Sequence, residues 1–558
     1  PDQLPLQRLY HWERTAPDRV AFTQPLGGGR VTDITWRAAL DGARRVAAHL
    51  QASGIEPGDR VALLSKNTAH WMITDYAIWL AGGVSVPLYP TLAASTIRQI
   101  LEHSAAKLLF VGKLDGWDAM RPGVPDGLPC IAHPLSPADA QTRYPGWDQV
   151  LADTAPLAGE PVRPGDDLST IMYTSGTTGA PKGVMHSFAN FAAAVAAGLK
   201  RIPQDADSRM LSYLPLAHVV ERALVEHGQL QTGMHVFFAE SLDTFTTDLQ
   251  RARPTVFFSV PRLWVKFQQG VHHKMPPAKL GRLLKIPILG GIVQRKILGT
   301  LGLDQCRFAA GGAAPMPLEL LRWYAKIGLK VAEGYGMTEN IGASHITSGD
   351  PEAFGTVGLP YEAVQCRIAP DSGEIHVRAP WNMLGYYREP TLTREAFTDD
   401  GWLRTGDKGA TDEQGRLRIT GRVKDLFKTS KGKYVAPAPI EDRLVMHSAL
   451  EACCVTGANL GQPLAMVMLN ADAAAQAQGA GRKAIEDSLA EHLKAVNATL
   501  DPHEQLACLV VTTEPWTVDN DLITPTFKVK RNKIEDRFAQ RYVEWTGARR
   551  PVVWMTSA

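Results

Sequence analysis

A chain of 558 residues exceeds what one hydrophobic core usually serves, so two or more domains are expected. With 59 Lys and Arg against 57 Asp and Glu, the formal charge of +2 excludes a strongly basic nucleic-acid binder, and 45% hydrophobic with 21% charged residues is the balance of an ordinary soluble globular protein. Cys130, Cys306, Cys366, Cys453, Cys454 and Cys508 show no CxxC spacing, which argues for reduced thiols in a cytoplasmic protein. The N-terminal residues do not read as a signal peptide, and no uninterrupted apolar span reaches transmembrane length.

From Trp36 to Gly54 apolar residues recur at helical spacing (Ala39, Ala43, Val46, Ala47, Leu50), and Gly54-Ile-Glu-Pro-Gly58 stops that helix. Arg60–Ser65 reads as a buried strand, Trp71–Leu80 as a helix, and Val84–Leu88 and Lys107–Gly112 as further strands. Such alternation predicts an α/β fold with mixed, largely parallel sheets. Residues 113–165, rich in Pro, Gly and Asp, read as a mobile connection.

The run Leu168–Met172 reads as a strand entering Tyr173-Thr-Ser-Gly-Thr-Thr-Gly-Ala-Pro-Lys-Gly183, with a small-residue helix from near Phe188. Gly176, Gly179 and Gly183 permit sharp turning and close approach to a ligand. The hydroxyls of Thr174, Ser175, Thr177 and Thr178, free backbone N–H groups and the Lys182 ammonium suit a polyanion. The spacing is not that of a Walker loop. A flexible linker is the competing reading, but a linker has no need of an ordered Pro-Lys-Gly ending after a buried strand.

Further on, Leu211-Ser-Tyr-Leu-Pro-Leu-Ala-His-Val-Val-Glu-Arg222 sets His218 beside an apolar run, where a satisfied core histidine is the bland reading. Leu283–Leu298 is apolar with Lys285, Arg295 and Lys296 interspersed; a membrane-surface element and a helix pair broken by Pro287 and Gly290 both fit it. Arg307–Pro315 is a strand entering a turn whose Gly311, Gly312, Ala313 and Ala314 leave room for a flat ring or an acyl thread. Glu333-Gly-Tyr-Gly-Met-Thr-Glu339, Gly401-Trp-Leu-Arg-Thr-Gly-Asp407, the basic run Ile419–Tyr434 and Leu522-Ile-Thr-Pro-Thr-Phe-Lys-Val-Lys-Arg-Asn-Lys533 follow in that order.

Together these segments resemble the acyl-adenylate-forming enzymes over nearly the whole chain, most of all the long-chain fatty acyl-CoA synthetases. The resemblance implies a large N-terminal domain (1–423) and a small mobile α+β C-terminal domain (424–558) with Lys424 at the hinge. It implies ATP, Mg²⁺ and CoA, a medium- or long-chain fatty acid as substrate, and no nucleic acid; oligomeric state stays open. By position, Thr174–Gly179 and Lys182 would hold phosphates, and Gly312, Ala313, Ala314, Glu333, Gly334, Tyr335 and Gly336 would enclose the nucleotide, with Tyr335 stacked on adenine. Thr338 would bond phosphate, Glu339 would hold Mg²⁺, and Asp407 with Arg422 would take the ribose. His218 would orient the carboxylate, leaving Glu221 and Arg222 as a structural pair, while the strand within Arg253–Trp264 would wall the acyl tunnel. Lys528 would be the adenylation lysine, with Lys530 as rival. Two positions depart from the common pattern: Phe188, where many relatives have His, and Phe527, where many have Gly. Two other activities stay open: loading of a carrier protein, or CoA ligation of an aryl or short branched acid. Peripheral contact with the inner face of a membrane is a further expectation.

Overall fold

The computed structural model describes residues 2–175, 181–524 and 528–555, with Ser175 described in its backbone only. Helix Trp36–Ala52 begins where the Thr35 side chain accepts from the Ala38 N–H, and it buries Ala39, Ala43, Val46, Ala47 and Leu50. It packs on helix Ala69–Leu80, whose Thr68 cap accepts from Trp71 N–H. Every residue of that second helix except His70 is buried, so its apolar character runs all round rather than along one stripe.

These helices cover a seven-stranded sheet. Its centre is parallel: strand Arg60–Leu64 pairs with Val84–Leu88 on one side and Leu108–Val111 on the other. Val84–Leu88 adjoins Leu168–Ser175, which turns back antiparallel into Pro181–Ser187 and then meets Gly385–Tyr386. At the opposite edge lies Cys130–Ala132, parallel to Leu108–Val111. This corrects the expectation for residues 113–165: the stretch holds a sheet strand, three α-helices and a short 3-10 turn, because Trp117, Trp147 and Val150 are buried and fasten an otherwise polar, Pro-rich segment to the core.

A five-stranded sheet runs in the order Val256–Ser259, Phe308–Gly311, Val331–Tyr335, His345–Ile346, Leu359–Pro360, the first three parallel. A four-stranded antiparallel sheet follows, with strand Leu403–Thr411 between Glu374–Arg378 and Leu417–Arg422. Beyond it, strands Leu450–Thr456, Leu464–Leu469, Leu509–Val511 and Val552–Trp554 form a separate sheet. Helix Arg482–Asn497 buries Ile485, Leu489 and Leu493 against it, and both hydrophobic clusters of this region draw their buried members from residues 427 onward. Each such buried Leu or Ile contributes about 1.5–3 kcal/mol.

One ionic cluster lies wholly inside the larger part. Arg222, in a π-helical turn Arg222–His227, pairs with Asp75 and, at 3.1 Å, with Glu226; it also donates to Thr170 Oγ1 at 2.5 Å. The expected Glu221–Arg222 pair is therefore not formed. Glu221 instead accepts from Ser212 Oγ and Tyr213 N–H, because successive residues on a helical turn point in different directions.

Candidate active site

The predicted phosphate segment is a hairpin of strands in which Thr174 stands opposite Lys182 and Ser175 opposite Pro181. Gly176, Thr177, Thr178 and Gly179 lie outside the described residues. Gly183 answers to packing: a Cβ there would lie 2.6 Å from Ile171 and 3.1 Å from the Tyr173 ring. Two residues after Lys182 on the same strand face comes Val184, and two further comes His186, in keeping with the two-residue period. His186 Nε2 donates to the Thr338 carbonyl at 2.7 Å; burial holds this ring neutral, with its pKa down to about 4.

Thr338–Asn340 forms a tight turn after strand Val331–Tyr335. The buried Asn340 closes it by accepting from Met337 N–H at 2.8 Å. Gly336 is required there, since a Cβ would fall 2.3 Å from the Gly342 backbone. Glu339 is fixed from the other side: Tyr386 Oη donates to its Oε1 at 2.7 Å, and its carbonyl accepts from Met383 N–H. The Tyr386 ring also lies beneath Lys182, whose Nζ stands 5.4 Å from the centroid. One tyrosine thus touches both Lys182, the predicted phosphate cation, and Glu339, the predicted metal carboxylate. Sequence reading missed Tyr386 and His186. An aromatic pair after Gly385 and a histidine in register with Lys182 were the available signals, and both are too common to stand alone.

Asp407 and Arg422 face each other across adjacent strands, with Arg422 Nε 3.1 Å from Asp407 Oδ1. Tyr335 Oη donates to Asp407 Oδ2 at 2.7 Å. Burial pushes the Asp407 carboxyl up, and Arg422 opposes that. Glu333, buried two residues before Tyr335 on the same strand, accepts from Met316 N–H at 3.0 Å, and burial raises its carboxyl to about 7. The turn after Phe308–Gly311 divides in two. At Gly311 and Gly312 a Cβ would meet Met316 at 2.6 Å and Phe258 at 2.8 Å, so protein packing also requires both to be bare; Gly312 lines the cleft. Ala313, at φ 67°, and Ala314 are exposed on the cleft.

His218 caps the turn Val219–Glu221, its Nδ1 accepting from Val220 N–H. Burial first, and the Lys528 charge second, lower its pKa to about 4, so the ring is neutral and its proton sits on Nε2. Lys528 is reachable from the cleft, yet surrounding protein pushes its ammonium pKa down; Arg422 adds to this, while Asp407 and Glu339 oppose it. Its backbone closes onto Thr524, N–H to Oγ1 at 3.0 Å. Lys530, by contrast, is paired with Asp521.

Thr174, His218, Tyr335, Glu339, Asp407 and Lys528 all line one cleft of about 3460 Å³. Single small-ligand pockets run to about 300–1,000 Å³, so this one has room for more than one reactant. Its apolar side is made by Ala194, Val195, Leu199, Val219, Ala223 and Phe258. Strand Val256–Ser259 also lines the cleft, through Val256, Phe257 and Phe258. Phe188, the departure from the common pattern, is buried against Trp79 and under Arg163, away from this chemistry. Among the described residues no group of three or more His, Cys, Asp or Glu is arranged to hold a metal ion.

A cleft that gathers Thr174, Glu339, Asp407, Arg422 and Lys528 together with an apolar lining has the chemistry suited to a phosphorylated ligand beside an apolar acid. Residues 9–387 match the family described as AMP-binding enzyme, and residues 424–543 match the AMP-binding enzyme C-terminal domain. The chain belongs to the AMP-binding enzyme family. It is 32% identical to a long-chain-fatty-acid–CoA ligase, FadD15, of Mycobacterium bovis, covering 95% of each chain. It is 31% identical to the peroxisomal long chain acyl-CoA synthetase 6 of Arabidopsis thaliana, over 92% of this chain and 82% of that one. Among solved structures, the A domain of the carboxylic acid reductase from Segniliparus rugosus, in complex with AMP and a co-purified carboxylic acid, superposes with a TM-score of 0.80. That match covers 98% of this chain and 94% of the other at 22% identity, which establishes the shared fold.

Proposed function

We propose that the protein activates a medium- or long-chain fatty acid with ATP, forming acyl-AMP and pyrophosphate, and then transfers the acyl group to CoA with release of AMP. The observation that carries this reading is the convergence of Thr174, Glu339, Asp407 and Lys528 on one cleft with an apolar side. The names of the curated relatives support the acid and the thiol acceptor.

In this reading a carboxylate oxygen of the acid attacks the α-phosphorus and the bond to pyrophosphate breaks. Both reactants are anions, so alignment and charge cancellation dominate the barrier. His218 Nε2–H orients the carboxylate, and Lys528 meets negative charge growing on the α-phosphate. Lys182 and the hydroxyls from Thr174 onward hold the outer phosphates. Tyr335 packs on adenine, and Asp407 with Arg422 accepts and donates at the ribose. Glu339 is the residue to hold Mg²⁺: one carboxylate oxygen is fixed by Tyr386 while the side chain lines the cleft, which fits an ion that takes few protein ligands beside phosphate. Bound there, Mg²⁺ would supply neutralisation of phosphate charge.

Thiolysis requires the thiol of CoA to reach the acyl carbonyl, so Lys528 must withdraw. We place the hinge at Lys424, exposed between strands Leu417–Arg422 and Phe427–Lys428, with residues 424–558 moving as a body around their separate core. Peripheral association with a membrane belongs to the same proposal. No helix among the described residues is long and apolar enough to cross one.

ATP/pyrophosphate exchange across saturated acids of graded length, with and without CoA, tests the reading. Exchange rising with chain length and acyl-CoA formed only when CoA is added is the expected result. Exchange confined to aryl or short branched acids, or no thioester with CoA present, would overturn it.

A further inference from the structure

Between Asp248 and Asp304 the chain carries ten Lys or Arg and no Asp or Glu, although the whole chain is balanced at 59 against 57. Half of those cations lie on a helical hairpin, Pro277–Leu284 and Leu289–Leu301. Leu280 and Ile297 anchor its inner face in the core. Its outer face leaves Ile286 46%, Ile288 85%, Leu289 38% and Ile292 50% exposed. Around them Lys279, Arg282, Lys285, Arg295 and Lys296 are exposed, and none of the five forms an ion pair among the described residues.

The tip is shaped to present an apolar residue. Leu289 N–H bonds to the Pro287 carbonyl at 2.7 Å, closing a three-residue turn about Ile288 at φ 68°, ψ −53°. A β-branched residue is strongly disfavoured there, and Ile288 recovers no burial within the chain. Both the strain and the exposure are accounted for if the isoleucine is buried in something else.

We propose that this hairpin is a docking surface for an anionic phospholipid bilayer, with the isoleucines entering the interface and the five cations meeting lipid phosphates. A second copy of this chain is the less suitable occupant, since a symmetric contact would set five cations against five. The placement has a use that rests on the fatty-acid reading. Helix Pro261–Lys274, which leads into the hairpin, lines the cleft through Val265, Gln269 and His272, so a docked hairpin would bring that wall toward the lipid where a long-chain acid resides.

The test is sedimentation of the full chain with vesicles of phosphatidylcholine alone or mixed with phosphatidylglycerol, without ATP, acid or CoA. The expected result is binding to the anionic vesicles that weakens with added salt. Ile288→Asp should lower the partition coefficient about tenfold or more, and Lys285→Glu with Lys296→Glu should lower it and flatten its salt dependence. Each variant should retain ATP/pyrophosphate exchange with a water-soluble acid, which reports a folded site independently of lipid. No binding by the parent chain, or equal binding by Ile288→Asp, would overturn the proposal. So would a parent chain that dimerises through this face, with Ile288→Asp monomeric and neither bound to vesicles. Loss of exchange in the parent chain would instead strike the fatty-acid reading and leave the docking result standing.

Discussion

Two arginines of this molecule hold carboxylates in opposite circumstances. Arg222 lies with Asp75 and Glu226 where all three side chains have no solvent exposure, among the rings of Trp71, Trp79 and Phe191. Arg422 holds Asp407 at the cleft wall with 53% of its side chain exposed. The buried set is closed: burial, and then the Asp75 charge, raise the Glu226 carboxyl well above its usual value, so the cluster approaches neutrality by keeping a proton. The cleft pair is open to a ligand and to Lys528. Similar chemistry therefore closes on itself in one place and faces an open cleft in the other, and burial makes the difference.

The same substitution at both places should separate them. Arg222→Ala leaves buried carboxylates without a cation and is expected to cost roughly 3–5 kcal/mol of stability. Arg422→Ala, where the arginine is half exposed and water can reach its place, should change stability by about 1 kcal/mol while raising KM for ATP. Urea denaturation of the two variants measures this, and equal losses would erase the distinction. Lys528→Ala should come next, slowing acyl-AMP formation roughly a hundredfold to a thousandfold, the scale of removing one electrostatic donor from a transition state. Thioester formation from supplied acyl-AMP should persist. Equal loss of both half-reactions would remove Lys528 from its assigned role.

The third effect is a pH dependence. Glu333 has its carboxyl raised to about 7 by burial, above the ordinary 4.5 that it regains on unfolding. Through this group the folded state binds more protons between those values, so the contribution of Glu333 to stability falls as pH rises from about 4.5 through 7. The full contribution of this group is roughly 3–4 kcal/mol as an upper bound. Asp442, raised to about 8 by burial, then by Glu441 and Glu333, steepens the same slope. Glu333→Gln, which can still accept from Met316 N–H, should flatten the urea midpoint between about pH 5 and 8; an unchanged slope would show that Glu333 does not carry it.

What could be read in the sequence was what depends on neighbours in the chain. The strand entering the loop before Lys182 and the loop's glycines could be read locally, and Glu333–Glu339 was marked by its resemblance to a family segment; the second strand, Pro181–Ser187, was not read. Partners brought together only by folding stayed hidden. Asp75 and Arg222 stand 147 residues apart, and nothing local marks either as half of a buried pair. Gly312 was legible as a position that must be bare, but that Phe258 fills the space required the coordinates. Residues 113–165 misled because Pro and Gly outnumber the buried tryptophans that decide the outcome.

Tyr386 should give the smallest effect and the finest separation, because its two contacts use different parts of one side chain. The hydroxyl fixes Glu339 Oε1 at 2.7 Å, while the ring face lies under Lys182. Tyr386→Phe removes only the first. A hydrogen bond to a charged group contributes about 1.5–3 kcal/mol, and a carboxylate open to the cleft recovers part of that from water, so exchange should slow about tenfold. Tyr386→Leu also removes the ring, adding about 0.5–1 kcal/mol, a further two- to fivefold. Melting temperatures would tell positioning from general loosening: Tyr386→Phe should unfold within a few degrees of the parent while its half-saturating Mg²⁺ concentration rises. If Phe exchanges as fast as Tyr, the hydroxyl is incidental and Glu339 is held by its turn alone.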